Sequence, residues 1–343
     1  MMSRSVSFKP RKLIIQIPCF NEERSLPITL RDLPRHVDGY DIVEWLVIDD
    51  GSTDATSQVA RAHGVDHIVR LPANRGLAVA FTIGLERCIA LGADTIVNTD
   101  ADNQYVADCI PDLVRPILDE QALFVVGARP IGEVSDFSPA KKILQFFGSW
   151  VVRVVSNTKI PDAPSGFRAI HRTAAAQLNV FNPYTYTLET IIQAGRRGIP
   201  ITSVPIRVNR CLRPSRLISS IPRYIQRSIL IIFRIFVLYK PLRFFTLLGL
   251  APAVIGFAAV IRFLVYYFSG HGQGNVQSLV IGTGLLVLAA LLTSIGILGD
   301  LISCNRRLLE DMRAQNLLRT DSPPLQEDPA LLEDHPRCVA LEG

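Results

Sequence analysis

Between Glu189 and Asp300 the chain contains no acidic residue, yet that stretch holds eleven arginines and Lys240. A segment of one charge sign favours anionic partners such as lipid headgroups or a phosphate-bearing substrate. Its cations lie beside long apolar runs, where basic residues set membrane orientation, so nucleic acid is not an expected partner. Cysteine is scarce: Cys19, Cys88, Cys109, Cys211, Cys304 and Cys338 form no CxxC and no paired spacing. They read as reduced structural thiols rather than a disulfide framework. The histidines (His36, His63, His67, His171, His271 and His335) show no ligand spacing, which disfavours zinc. Residues 1–12 lack an apolar core segment and Leu13–Ile17 is far too short for one, so no secretory signal is expected. No internal repeat is evident.

What is present divides the 343 residues into dissimilar parts. Leu13–Ile17, Trp45–Ile48, Ile68–Leu71, Thr95–Asn98 and Leu123–Val126 are short apolar runs separated by helix-length or loop-length segments. Such alternation predicts buried parallel strands in an α/β, doubly wound, mostly parallel sheet. Arg24–Pro34, Asp54–His63 and Ala78–Leu91 are the expected crossover helices, the second capped by Thr53 or Asp54. Leu217–Tyr239 carries Arg223, Arg227 and Arg234 among Ile, Leu, Phe and Val, the pattern of a basic amphipathic helix in a membrane interface. Phe244–Phe268 contains one charge, Arg262, and Val276–Leu298 contains none. Each exceeds the roughly 20 residues that cross a hydrocarbon core. Arginine and lysine crowd the near ends of both spans, so the positive-inside rule predicts both termini and the soluble domain in the cytoplasm. The acidic, proline-containing end beyond Gln315 is expected to be disordered. The expected boundaries are 8–210 for the soluble domain, 211–243 for the basic juxtamembrane segment, 244–303 for a two-helix hairpin and 304–343 for a largely disordered tail.

Two motifs carry chemistry. Asp49-Asp50-Gly51-Ser52-Thr53-Asp54 follows an apolar strand, so its carboxylates sit at the carboxyl edge of the sheet, where open α/β sheets bind ligands. Pro18-Cys19-Phe20-Asn21-Glu22 reaches the same edge from the first strand. Asp100-Ala101-Asp102 ends another apolar run, and carboxylates at i and i+2 can face one cation. Mg²⁺ or Mn²⁺, with diphosphate oxygens completing the shell, fits such a pair.

PCFNEE, DDGSTD, NRG, DADNQ and SGFR stand in the order found in the inverting GT-A glycosyltransferase family. The basic segment and two apolar spans resemble its polyprenyl-phosphate branch. The resemblance implies a membrane-bound, metal-dependent enzyme moving a sugar from a UDP- or GDP-linked donor to a polyprenyl phosphate with inversion. It implies a nucleotide-sugar site at Pro18, Phe20, Asn21, Glu22, Asp49, Asp50, Asn74, Gly76, Asp100, Ala101, Asp102 and Gln104, with Asp100 and Asp102 on the metal. It implies catalytic roles for Asp100, Asp102, Arg129 and Arg168, and an acceptor-phosphate site at Arg129, Ser165, Arg168, Arg210, Ser215 and Arg216. Membrane lipids are further partners, and self-association is left open. The chain departs from the family at Leu77, where many relatives carry lysine, and at Arg213, where glycine is common. The rival reading is a membrane glycan synthase acting on a saccharide hydroxyl. Its Gln-x-x-Arg-Trp motif is missing, since neither Trp45 nor Trp150 ends one. A non-catalytic nucleotide sensor would keep the fold and lose the carboxylate pair, which is intact here.

Overall fold

The computed structural model describes residues 10–130, 152, 153, 156, 158–180, 186–209, 241–270 and 276–319. Its contacts divide the chain into two units, Met1–Pro214 with Met312–Gly343, and Ser215–Asp311.

The first unit is built on seven strands: β1 (Lys12–Cys19), β2 (Ile42–Asp49), β3 (His67–Arg70), β4 (Thr95–Asn98), β5 (Phe124–Ala128), β6 (Arg168–His171) and β7 (Ile201–Pro205). They lie in the order β3-β2-β1-β4-β6-β5-β7, and only β6 runs antiparallel to its neighbours. All five expected apolar runs fall on strands. β1 shows why an uninterrupted run is needed. Leu13, Ile15 and Ile17 join one core face with Leu26, Leu30, Ile110 and Leu113, whereas Gln16 on the opposite face meets α3 at Cys88. A strand covered on both faces has no solvent side on which to alternate.

The helices are α1 (Leu26–Asp32), α2 (Thr56–Ala62), α3 (Leu77–Ala90), α4 (Ile110–Leu118), α5 (Arg172–Gln177) and α6 (Tyr186–Arg197). α1 to α3 lie within a few residues of their predicted spans. The cap of α2 differs from expectation. Ala55 occupies the cap position, and Asp54, one residue earlier, accepts the Thr56 N–H at 3.0 Å. Asp54 also accepts the Glu23 N–H at 3.1 Å, while Glu23 accepts that of Ala55 at 3.2 Å. The β1 and β2 loops are thus latched reciprocally.

α7 (Pro241–Phe268), in the second unit, and α8 (Val276–Arg319), in that unit as far as Asp311, are both long and apolar enough to cross a membrane, each with a window of mean hydropathy 2.3. Only 11% of each window is buried, unlike the core helix of a soluble domain. Leu247, Val254, Phe257, Val280 and Leu291 face outward. The two helices touch backbone to backbone. A Cβ on Gly256 would lie 2.8 Å from the Gly282 carbonyl oxygen, and one on Gly282 would lie 2.9 Å from that of Gly256. Small residues permit such close approach between apolar helices. Of the stretch from Gln315 expected to be disordered, residues 315–319 are helical, and residues 304–319, the first part of the expected tail, continue α8. This stretch has no proline or glycine to stop the helix, and an Arg306–Glu310 ion pair at 3.2 Å spans one of its turns. The expected amphipathic helix Leu217–Tyr239 lies outside the described residues.

Candidate active site

Sheet order brings the sequence motifs to one edge. Cys19 pairs with Asp49, Gln16 with Asn98, and Asn98 with Arg168. The loops after β2, β1 and β4 and the loop entering β6 are therefore neighbours along the carboxyl edge.

The Asp-Asp-Gly-Ser turn is heavily cross-braced. Asp49 is buried and accepts the Ser52 N–H at 2.8 Å and the Ser57 hydroxyl. Asp50, also buried, accepts the N–H of Arg75 through one oxygen and that of Gly76 through the other, both at 2.8 Å. Gly51 has φ +70°, and a Cβ there would lie 2.5 Å from the Ala73 carbonyl carbon. The close approach that only glycine allows is what lets the Asn74 loop fold onto Asp50. Asn21, with φ +55°, donates its N–H to Ser52 Oγ at 2.9 Å and accepts the Thr53 N–H at 2.8 Å. Glu22 is buried and takes the Ser25 hydroxyl. Phe20 and Asn74 are exposed at the rim, Gly76 and Gln104 are half-buried, and Pro18 is buried within β1 opposite Ile48.

Asp100 and Asp102 flank the buried Ala101, whose carbonyl accepts the Thr29 hydroxyl at 2.9 Å. Asp102 accepts the Gln104 N–H at 3.1 Å. Burial first, and the like charge of Asp102 second, push the Asp100 carboxyl up to about 7; Arg129, the Tyr105 hydroxyl and Arg168 oppose the rise. Two crowded carboxylates, one reluctant to ionise, form a donor set that a hard divalent cation would relieve. Among the described residues no three His, Cys, Asp or Glu side chains cluster as a protein-only metal cage.

The arginines are placed otherwise than expected. Arg129 is bidentate to Asp162, at 2.7 and 3.0 Å, and its backbone N–H bonds the same carboxylate at 3.1 Å. Its charge is already balanced by a buried acid. Arg168 is completely buried. It donates to Ser165 O at 2.8 Å, Thr190 Oγ1 at 2.5 Å, Ala163 O at 3.0 Å and Thr187 O at 2.9 Å. Burial pulls its guanidinium down to about 10. This placement stands against the acceptor-phosphate role expected of Arg168, because four hydrogen bonds tie its guanidinium to the 163–165 loop and α6. Ser165 is buried as well, its Oγ without a hydrogen-bond partner, so neither side chain is open to a lipid phosphate. Arg210, Ser215 and Arg216 lie outside the described residues. The described chain does lead to Arg210: Asn209 donates its N–H to Gln104 O at 2.8 Å and its side-chain amide to Asn103 O at 3.0 Å.

Several site residues escaped the sequence reading. Asp162 stands just before the SGFR motif and could have been suspected as an arginine partner. Arg70 ends β3 in register with Asp49 and donates to Ser52 O at 3.1 Å, leaving a half-exposed cation beside the turn. Asn98 is fully buried, linking Gln16 at 2.8 Å to Gly166 O at 2.8 Å. Only its position at a strand end hinted at this.

Residues 14–178 match the family described as "Glycosyl transferase family 2". An undecaprenyl-phosphate mannosyltransferase from Micrococcus luteus is 27% identical over 217 residues, covering 60% of this chain and 87% of that protein. A UDP-N-acetylglucosamine–dolichyl-phosphate N-acetylglucosaminyltransferase from Methanococcus voltae is 26% identical over 212 residues, covering 56% and 83%. Among solved structures, glucosyl-3-phosphoglycerate synthase from Mycobacterium tuberculosis is 23% identical with a TM-score of 0.49, covering 65% of this chain and 80% of the other. Strands β2 to β6 and β1 from Ile14 onward, whose edge collects these carboxylates, thus lie within the part of the chain that matches the family 2 glycosyltransferase model, and the chain is a glycosyltransferase.

Proposed function

We propose that this chain transfers a sugar, with inversion, from a nucleoside-diphosphate donor to a polyprenyl phosphate held in a membrane. The observation that carries the reading is the conjunction of the edge carboxylates with two long, outward-apolar helices in one chain. Its support comes also from the two relatives named above, whose names specify undecaprenyl- and dolichyl-phosphate acceptors.

In this reading the nucleoside lies over the Asp50 turn, against the exposed Phe20 face and near Arg70. Asp100 and Asp102 would hold Mg²⁺ or Mn²⁺, which would neutralise the leaving diphosphate. Arg129, though paired with Asp162, opposes through space the rise that burial and Asp102 impose on the Asp100 carboxyl. The acceptor needs no strong general base, because the second pKa of a phosphate monoester is roughly 6. What it does need is position and charge cancellation. Arg210 is the cation assigned to that task, since it follows the residue bonded to the carboxylate loop.

The decisive assay offers radiolabelled UDP- and GDP-sugars to the purified protein with undecaprenyl phosphate and a soluble oligosaccharide as competing acceptors. Label is expected in the lipid, and label in the oligosaccharide alone would overturn the proposal in favour of a glycan synthase. Arg210→Ala is expected to reduce lipid transfer severely while sparing donor binding. Both termini are assigned to the cytoplasm, so reporters fused at Gly272 and at the carboxyl terminus should report opposite sides of the membrane. Same-side signals would refute that topology.

A further inference from the structure

Tyr105 is buried three residues beyond Asp102, and the proposed function gives it no task. Its hydroxyl accepts the Gly166 N–H at 3.0 Å. Its ring stacks on Phe167, centroids 5.1 Å apart and planes 8° from parallel. Its backbone bridges Val208, in the segment that leads to Arg210. One residue therefore links the carboxylate loop, the Ser-Gly-Phe loop and the segment after β7.

Gly166 tightens this arrangement. A Cβ at that position would lie 3.1 Å from both oxygens of Asp100 and 3.0 Å from Tyr186 Oη. The loop backbone thus rests on the carboxylate with no space between them, and Asn98 holds its carbonyl from below at 2.8 Å. Tyr105 and Asn98 fix the two polar groups of one glycine, and that glycine abuts Asp100.

We infer that Tyr105 is a positioning residue: its hydroxyl holds the Gly166 N–H and so keeps the Ser165–Phe167 loop pressed against the Asp100 carboxylate, so that the donor side and acceptor side of the site keep one geometry. The inference rests on the assignment of Asp100 and Asp102 to a divalent cation. Partners that orient a metal-binding carboxylate are commonly worth roughly 10- to 100-fold in metal affinity or activity.

The test compares Tyr105→Phe with Tyr40→Phe in the full-length protein. Both variants remove one buried hydroxyl and keep the ring. Tyr40 donates to Thr95 Oγ1 at 2.7 Å, at the start of β4 and away from the carboxyl edge. Mn²⁺ binding is read by electron paramagnetic resonance in the presence of UDP or GDP, and transfer to undecaprenyl phosphate is read in the steady state. Tyr105→Phe should weaken Mn²⁺ binding and lower kcat by roughly 10-fold or more, with donor KM within about twofold of wild type. Tyr40→Phe should change neither readout. Equal Mn²⁺ affinity and kcat in Tyr105→Phe and wild type would overturn the inference. So would matching losses in the two variants, which would signify a general packing effect. Wild-type protein that binds no Mn²⁺ with either nucleotide would refute the metal assignment instead, leaving kcat to decide the role of Tyr105. A Tyr105→Phe protein that fails to fold while Tyr40→Phe folds would also overturn the inference, by making the hydroxyl a requirement of the fold.

Discussion

Replacing Asp102 with asparagine is expected to lower transfer by two to three orders of magnitude and leave the fold unchanged. The asparagine oxygen can still accept the Gln104 N–H, the hydrogen bond that Asp102 makes at 3.1 Å. What disappears is one negative charge at the proposed cation site. Losing a single electrostatic stabiliser of a developing charge costs about 2.7–4 kcal/mol, or roughly 10²–10³ in rate. The check is kcat at saturating Mn²⁺ with a parallel thermal melt. Turnover within a few-fold of wild type would remove Asp102 from the metal site. Full wild-type activity in excess EDTA would remove the metal altogether.

Arg168→Ala should produce a large effect of another kind. Its side chain is fully buried and bonded to three carbonyls and the Thr190 hydroxyl. Truncation leaves a cavity and several acceptors without a donor, costing roughly 3–5 kcal/mol. For a domain of this size the melting temperature should fall by on the order of 10 °C. Arg168→Lys should recover part of that loss, because an ammonium reaches some of the same acceptors but lacks the planar fork. A phosphate ligand would behave oppositely, melting normally and losing only acceptor affinity. Normal melting of Arg168→Ala with a raised acceptor KM would restore Arg168 to the acceptor site.

The contrast between these two residues marks what could be read from sequence. Strands were legible where apolar runs are buried on both faces, as in β1 and β2, because continuous burial leaves a continuous apolar run. Asp49, Asp50, Asp100 and Asp102 were legible as edge residues because each follows such a run. β6 was not, for its four residues begin with the charged Arg168 and its strand character comes from pairing with β4 and β5. The destination of each arginine was hidden for the same reason. A guanidinium near a phosphate-binding motif can face the ligand or the interior, and only the sheet order shows that Asp162 awaits Arg129 and that Thr187 and Thr190 await Arg168. The reach of α8 to Arg319 was not read because acidic residues and prolines from Gln315 onward suggested disorder, whereas neither proline nor glycine stands between Cys304 and Arg319.

The pairing of β5 with β7 also governs how the domain is made. Asn98 waits for Arg168 before its far side is paired, and Phe124–Ala128 waits for Ile201–Pro205. Contacts between segments so distant in sequence form slowly. During synthesis the sheet cannot close until β7 has emerged, and the carboxylate loop gains its last braces only when Asn209 follows. A chain ending at residue 178, where the family match stops, would leave β5 as an open edge with unpaired backbone groups, a template for aggregation. Catalytic competence is thus acquired late, just ahead of the basic segment and the first long apolar helix.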